Sequence, residues 1–234
     1  MSHSYLLTTE SAKIVKTKKR VKALQGVLNL APANSGGTGN LCPYASRGCL
    51  ATCLQTSGRN RFKAAHLARV SRTHMWRENR ARFVADLDRE IGNLVNRAHK
   101  AGLTPFVRLN GLSDIRWEVE DPWLFIRWRH VRFVDYTKNP HRYLRFLRGD
   151  FPSNYTLTFS RSESNDHYCV NFLRAGGTVT VLFPHNKPLP STWKGYRAID
   201  GDLHDFRALD PKGVVVGLRA KGKAKQDMTG FVVR

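Results

Sequence analysis

Short apolar runs alternate with helix-compatible stretches in the second half of the chain, and this alternation most constrains the fold. The runs have the length and the Val, Ile, Phe and Tyr content of strands. They cover 106–109, 131–134, 155–159, 178–183, 196–199 and 214–218. The polar stretches 121–130, 140–147 and 165–175 are long enough for two or three helical turns. Strands that alternate with helices predict βαβ units and a parallel sheet.

These strands, with one more near 27–30, predict an α/β fold with a partial or irregular (β/α) barrel. A flat doubly wound sheet is the alternative. The last links are short for full helices, so we expect the end of the sheet to be irregular or antiparallel. Upstream, apolar residues recur every three or four positions between 83 and 98, which predicts a long N-terminal arginine-rich helix over about 60–101.

The N-terminal part is basic, and we divide the chain into a basic segment 1–26 and a single barrel-like domain 27–234. Residues 13–22 hold six Lys and Arg residues. A solvated segment before a strand is the favoured interpretation, and a basic arm that follows a phosphate backbone is the alternative.

The net charge of +21 costs self-repulsion unless an anionic partner offsets it. Nucleic acid is the obvious partner and a polyphosphate-bearing ligand is a weaker candidate. A genome rich in arginine codons would also explain the charge. No apolar run is long enough for a transmembrane helix, and no apolar stretch typical of a secretory signal follows Met1. We therefore expect no membrane partner and a cytoplasmic location, where thiols stay reduced.

Three cysteines, Cys42, Cys49 and Cys53, fall within twelve residues on a loop punctuated by glycine and proline. Converging thiolates are typical metal ligands, so this spacing predicts a metal site. Structural zinc sites take four ligands, and the candidates for a fourth are His66, His74 and Cys169. Three cysteines also suit a 4Fe–4S cluster with one open iron. We favour the cluster, keep zinc as the alternative, and interpret Cys169 as a helix core residue.

Polar residues follow nearly every predicted strand. Because the carboxyl ends of parallel strands build the site of α/β folds, these residues are expected to converge on one pocket. Turn chemistry alone is the competing explanation. We assign catalytic roles to Asp135, Tyr136 and Lys138. Cofactor or substrate binding is assigned to Asn110, Ser113, Asp114, Ser160 and Asp200.

Arginines follow the cysteines closely in the chain. Arg59, Arg61, Arg69 and Arg72 are candidates for nucleic-acid contacts along a path toward the cysteines. A solvated helical face is the simpler interpretation of the same pattern.

The string Cys42-Pro-x-Ala-Ser-x-Gly-Cys49-x-x-x-Cys53 resembles a group of mostly phage-encoded proteins that in outline resemble radical S-adenosylmethionine enzymes. The segments 108–115, 135–138 and 200–202 fit the same group, so the resemblance covers roughly 27–221. It implies a partial (β/α) barrel with the cluster loop at the carboxyl-end face. It also implies S-adenosylmethionine as a cofactor and, for a phage protein, the host cytoplasm as the location.

Three hypotheses follow from these patterns. The first is an iron–sulfur enzyme of radical-SAM-like architecture that acts on nucleic acid or a nucleotide. The second is a non-catalytic nucleic-acid-binding protein with a structural metal. The third is a phage protein that binds a host protein, with the metal centre only stabilising the fold.

Overall fold

The computed structural model describes residues 5–234, so the first four residues of the predicted basic segment lie outside the described residues. The strands are Leu7–Thr8 (β1), Ala23–Leu28 (β2), Thr104–Arg108 (β3), Arg132–Thr137 (β4), Tyr155–Ser160 (β5), Val179–Phe183 (β6), Thr192–Trp193 (β7), Tyr196–Asp200 (β8) and Val215–Arg219 (β9). The α-helices are Ala12–Val21 (α1), Arg47–Ala51 (α2), Lys63–Glu78 (α3), Arg80–Lys100 (α4), Trp117–Glu120 (α5), Pro122–Arg127 (α6), Pro140–Leu147 (α7) and Asp166–Arg174 (α8).

The strands of the described chain form one open sheet in the order β1-β2-β3-β4-β5-β6-β9-β8-β7. Neighbouring strands from β2 to β8 are parallel, while β1 and β7 pair antiparallel at the two edges. The predicted α/β class is confirmed, and so are the six predicted strands of the second half. The strand predicted near 27–30 starts earlier, as β2. The antiparallel β7 and the placement of β9 between β6 and β8 agree with the expected irregular end.

The predicted single helix over 60–101 is wrong, because two helices occupy this range. Asn79 separates α3 from α4 with non-helical backbone angles, φ −137° and ψ 65°. Its side chain accepts a hydrogen bond from the backbone N–H of Arg82 at 3.3 Å, which caps the start of α4. The predicted buried face is confirmed in α4, where Phe83, Leu87 and Ile91 are buried.

The predicted basic segment contributes to the sheet through β1 and β2. Helix α1 lies between them, and its N-cap Ser11 accepts a hydrogen bond from the backbone N–H of Ile14 at 3.2 Å. Most of its lysines are exposed, but Lys13 is half-buried and forms an ion pair with Asp205 at 2.8 Å. The segment therefore supplies both solvated charge and one anchored cation.

The two faces of the sheet differ in what covers them. On one face, Phe133 and Leu157 belong to the main apolar core together with the buried side of α4. On the other face, Phe106 of β3 stacks on Phe206 at 4.4 Å between ring centroids and closes the amino end of the strands. The carboxyl end of this second face stays open and carries the candidate site. No helix among residues 5–234 is long and apolar enough to cross a bilayer.

Candidate functional site

A cavity of about 370 Å³ lies at the carboxyl ends of the parallel strands. Residues at or just after the ends of β3, β4, β5, β6 and β9 form one wall. The cysteine loop, which we define as residues 40–57, forms the opposite wall. The cavity therefore lies where the ends of parallel strands place ligand sites in α/β folds.

All three predicted cysteine ligands, Cys42, Cys49 and Cys53, line this cavity. Cys42 lies between two strand-end loops, because its Sγ accepts from the backbone N–H of Ala33 at 3.3 Å and donates to the carbonyl of Leu112 at 3.4 Å. Cys49 lies within α2, and Cys53 follows it by one turn. The loop thus brings thiols distributed over twelve residues to one wall.

Glu163 fastens the cysteine loop to the end of β5. One carboxylate oxygen accepts from the backbone N–H of Gly48 at 2.7 Å, and the other accepts from Ser46 Oγ at 2.7 Å. Burial raises the pKa of Glu163, but these hydrogen bonds outweigh it and lower the pKa below its usual value. A Cβ on Gly48 would lie 2.3 Å from Thr229 Oγ1, so only glycine permits this close approach.

The three thiols are half-buried and lie near one another. Burial raises the pKa of Cys42 to about 12, and it also raises the pKa of Cys53. The neighbouring thiols add to both shifts, because each thiolate would repel the next. Within residues 5–234, no group of three or more His, Cys, Asp or Glu side chains is arranged to hold a metal ion.

Arg69 is a buried cation beside these thiols. It is only 2% exposed, and one guanidinium nitrogen donates to the carbonyl of Asn60 at 3.0 Å. Its Nε has no hydrogen-bond partner within the described chain. The charge of Arg69 favours the thiolate of Cys53. A buried, incompletely satisfied guanidinium here suits an anionic group at the thiols, as thiolates bound to a metal centre would be.

The strand-end residues of β4 divide between the two faces, because successive side chains of a strand point in opposite directions. Tyr136 and Lys138 line the cavity, as does Ser160 at the end of β5. Asp135 points to the opposite face and is fully buried. Its carboxylate accepts from the backbone N–H of Asn110 at 2.8 Å and from the Tyr155 hydroxyl at 2.8 Å. Burial raises the pKa of Asp135 to about 6.

Asn110, Ser113 and Asp114 also line the cavity, in the loop after β3. The Asn110 side-chain oxygen accepts from Ser113 Oγ at 2.9 Å, which closes this loop on itself. Asp114 accepts from the backbone N–H of Lys138 at 2.9 Å and pairs with buried Arg142 at 3.0 Å. Asp114 therefore holds the end of β4 and positions Lys138.

The cations at and just after the end of β9 have acidic partners. Arg219 pairs with Asp200 at 3.1 Å and with Asp202 at 3.6 Å. Lys221 pairs with Asp202 at 2.8 Å. Asp202 lines the cavity, whereas Asp200, the residue assigned from the sequence, lies beside it as a partner of Arg219.

The four predicted nucleic-acid contacts occupy different environments. Arg59 and Arg61 are exposed, next to Ser57 and Asn60 of the cavity wall. Arg72 donates to the carbonyl of Tyr5 at 3.0 Å and so ties α3 to the N-terminal segment. Arg69 would have to leave its buried position to contact a phosphate backbone.

Sequence reasoning assigned no role to Glu163, Arg108 or Phe231, although all three shape the site. Arg108 and Phe231 line the cavity, and Glu163 anchors the cysteine loop. Arg108 could have been identified from the sequence, because it lies two residues before Asn110 at the end of a strand, and such residues share a face. Phe231 lies in the C-terminal segment and contacts Lys138, which is distant in the sequence. No local sequence pattern predicts such a contact.

Cys169 lies in α8 and is fully buried in the main apolar core. This placement agrees with its interpretation as a helix core residue. It does not line the cavity with the other three cysteines.

Comparison with known proteins gives one match. A family model described as "Gene product 88" matches residues 5–234. No curated protein and no solved structure matches the chain. The numbered description is of the kind given to phage gene products, which agrees with the phage part of the predicted resemblance, and it names no radical S-adenosylmethionine family. Because the match spans all of the described residues, the chain belongs to the gene product 88 family.

Proposed function

We propose that Cys42, Cys49 and Cys53 bind an iron–sulfur cluster and that the protein is an enzyme acting on a ligand in the adjoining cavity. The observation that carries the proposal is the convergence of three thiols on one cavity wall. The buried guanidinium of Arg69 beside Cys53 supports it, because a cation there favours bound thiolates.

Three thiols without a fourth protein ligand suit a cluster better than structural zinc, which takes four. Each thiolate of a four-iron cluster binds a different iron, so its thiolates surround a wider volume than those around a single ion. With three thiolates bound, such a cluster would leave one iron open to the cavity and supply one-electron chemistry there. Zinc remains the alternative metal.

A partial (β/α) barrel of radical-SAM-like architecture is the fold that we propose for this site. Its support is that strand-end residues from β3 to β9 line one cavity on a single face of the sheet. S-adenosylmethionine is then the proposed cofactor, and Ser113 is among the polar residues that line its cavity. The Asn110 side chain holds the loop through its hydrogen bonds with Ser113, Ile115 and Asp135.

This chain's own residues would bind and orient the ligand. Lys138 Nζ donates to Ser160 Oγ at 2.7 Å and has further donors to offer. Tyr136 brings an aromatic ring to the same wall. Asp114 and Asp135 act as positioning residues, because their carboxylates hold the loop and strand ends.

A nucleotide or nucleic acid is the proposed substrate class. The net charge of +21 and the exposed Arg59 and Arg61 beside the cavity support an anionic partner. A non-catalytic protein that binds nucleic acid or a host protein is the competing proposal, and it needs no chemistry at the cluster.

The test is anaerobic purification followed by absorption and electron paramagnetic resonance spectroscopy, with a reductive S-adenosylmethionine cleavage assay. We expect visible absorption that is lost in Cys42→Ser, Cys49→Ser and Cys53→Ser. Cys169→Ser is the matched control and should keep the absorption. Colourless protein with stoichiometric zinc would contradict the cluster. A cluster that supports no cleavage, together with salt-sensitive nucleic-acid binding, would favour the non-catalytic alternative.

A further inference from the structure

The cationic side chains that line the cavity are unevenly paired with acids. Lys13, Arg219 and Lys221 each form an ion pair with an aspartate. Lys138 and Arg108 also line the cavity, but neither has a carboxylate within 4.0 Å among residues 5–234. Arg108 is close enough to Asp135 and Asp205 for its charge to favour the ionised form of both carboxyls, so Lys138 is the less compensated of the two cations. A cation in a partly buried cavity without an acid in contact favours an anionic ligand.

Both cations are held in place by neutral groups. Lys138 donates to Ser160 Oγ at 2.7 Å, and its ammonium lies 5.2 Å from the centre of the Phe231 ring. The Arg108 guanidinium donates to the carbonyl of Asn110 at 3.2 Å and lies 4.6 Å from the centre of the Tyr136 ring. Such fixed donors lose little freedom when an anion binds.

Size and wall chemistry limit what else the ligand contains. A cavity of about 370 Å³ is at the small end of the range for small-molecule sites. Leu182, Leu218 and Phe231 add an apolar surface to its wall. A single nucleotide, with one phosphate and one flat apolar base, fits this combination better than a stretch of polymer.

We propose that Lys138 and Ser160 form a subsite for the phosphate group of a nucleotide-sized phosphate monoester, with Arg108 as a second cation of the same cavity. The proposal rests on the proposed function for the reaction, since the cluster would lie across the same cavity. Binding of the phosphate does not itself require the cluster. The monoester and the metal centre can therefore be tested separately.

The experiment is isothermal titration of the full chain with adenosine monophosphate, adenosine, inorganic phosphate and a short single-stranded oligonucleotide without a terminal phosphate. We expect the monophosphate to bind more tightly than adenosine, which lacks the charge. Lys138→Met should lower the affinity for the monophosphate by about tenfold or more, as expected for loss of a charge-assisted hydrogen bond. Lys100→Met removes an exposed lysine at the end of α4 and is the matched control, with no change expected.

Ser160→Ala is a milder second variant that removes no charge. It should lower the affinity for the monophosphate several-fold. Equal affinity of wild type and Lys138→Met for the monophosphate would overturn the proposal. Binding of the oligonucleotide in preference to the monophosphate would overturn it too, because a polymer site would then be the better description.

Metal content measured on the same samples separates this proposal from the proposed function. Phosphate binding that depends on Lys138 in a protein without iron would retain the subsite and reject the cluster. A normal cluster in a protein that binds no monophosphate would reject the subsite and retain the cluster. Loss of iron in Lys138→Met with unchanged phosphate affinity would assign Lys138 to the cluster and contradict the subsite.

Discussion

Glu163→Ala tests whether the anchor on the cysteine loop controls the metal site. The carboxylate accepts two hydrogen bonds at 2.7 Å, from Ser46 Oγ and from the backbone N–H of Gly48. Ser46 also accepts from the backbone N–H of Cys49 at 3.2 Å, so the anchor acts directly on a cysteine-bearing helix. Removing it should loosen α2 rather than unfold the sheet.

The free energy that Glu163→Ala removes from the closed loop follows from the number and kind of hydrogen bonds lost. A buried hydrogen bond to a charged group contributes about 1.5–3 kcal/mol. Because Glu163 is only half-buried, we take about 1 kcal/mol for each bond, so the two together stabilise the loop by about 2 kcal/mol. A change of this size increases the population of the opened loop up to about 30-fold. Alkylation of Cys49 in the metal-free protein should accelerate accordingly.

The assay is alkylation rate by mass spectrometry, followed by iron retention against a chelator. Glu163→Gln keeps one acceptor and should lie between wild type and Glu163→Ala. Glu78→Ala removes an exposed acid of α3 that pairs with His74, and it is the matched control. Equal alkylation rates in wild type and Glu163→Ala would refute the anchoring role.

The acid dependence gives this reasoning a second signature. Because the folded-state pKa of Glu163 is lowered, its stabilising contribution is present above the unfolded-state pKa and is lost as the pH falls. The difference between wild type and Glu163→Ala should therefore shrink below about pH 4. A difference that grows in acid would contradict the assignment.

Three further predictions concern single residues. Gly48→Ala places a Cβ 2.7 Å from the Cβ of Phe231 and should cost about 1–3 kcal/mol in urea denaturation; unchanged stability would mean that the close approach is absent. Arg69→Met should lower the iron content of the protein. The free energy of unfolding of the metal-free protein should stay equal or rise, since a buried charge is removed. Unchanged iron content would show that Arg69 does not support the metal site. Because burial raises the pKa of Asp135 to about 6, its ionisation destabilises the fold. Wild type should therefore lose about 3 kcal/mol relative to Asp135→Asn as the pH rises from about 3 to about 7, and a parallel pH profile would contradict this.

The spacing of apolar residues predicted most helices and strands, because it reflects which side chains are buried. The strand runs and the buried face of α4 follow directly from burial on one or two faces. The break at Asn79 was missed, since the apolar repeat continues on both sides of it and only the capping side chain reveals it. Strand order at the end of the sheet depends on long-range pairing of β9 with β6 and β8, which no local pattern encodes.

The site could be predicted in part for a similar reason. Strand ends in a parallel sheet converge, which is why Lys138 and Ser160 line one cavity and contact each other. Asp135 was grouped with them by sequence proximity, although strand alternation turns it to the opposite face. Contacts between distant segments, such as Glu163 with the cysteine loop, required the folded chain.

The central claim is that three thiols of one cavity wall hold an iron–sulfur cluster. Iron and acid-labile sulfide, quantified together in anaerobically purified wild type, Cys42→Ser and Cys169→Ser, test it most directly. We expect about four irons and a similar amount of sulfide per chain in wild type and Cys169→Ser, with a large loss in Cys42→Ser. Absence of iron and sulfide from wild type after anaerobic reconstitution, or equal content in Cys42→Ser, would contradict the claim.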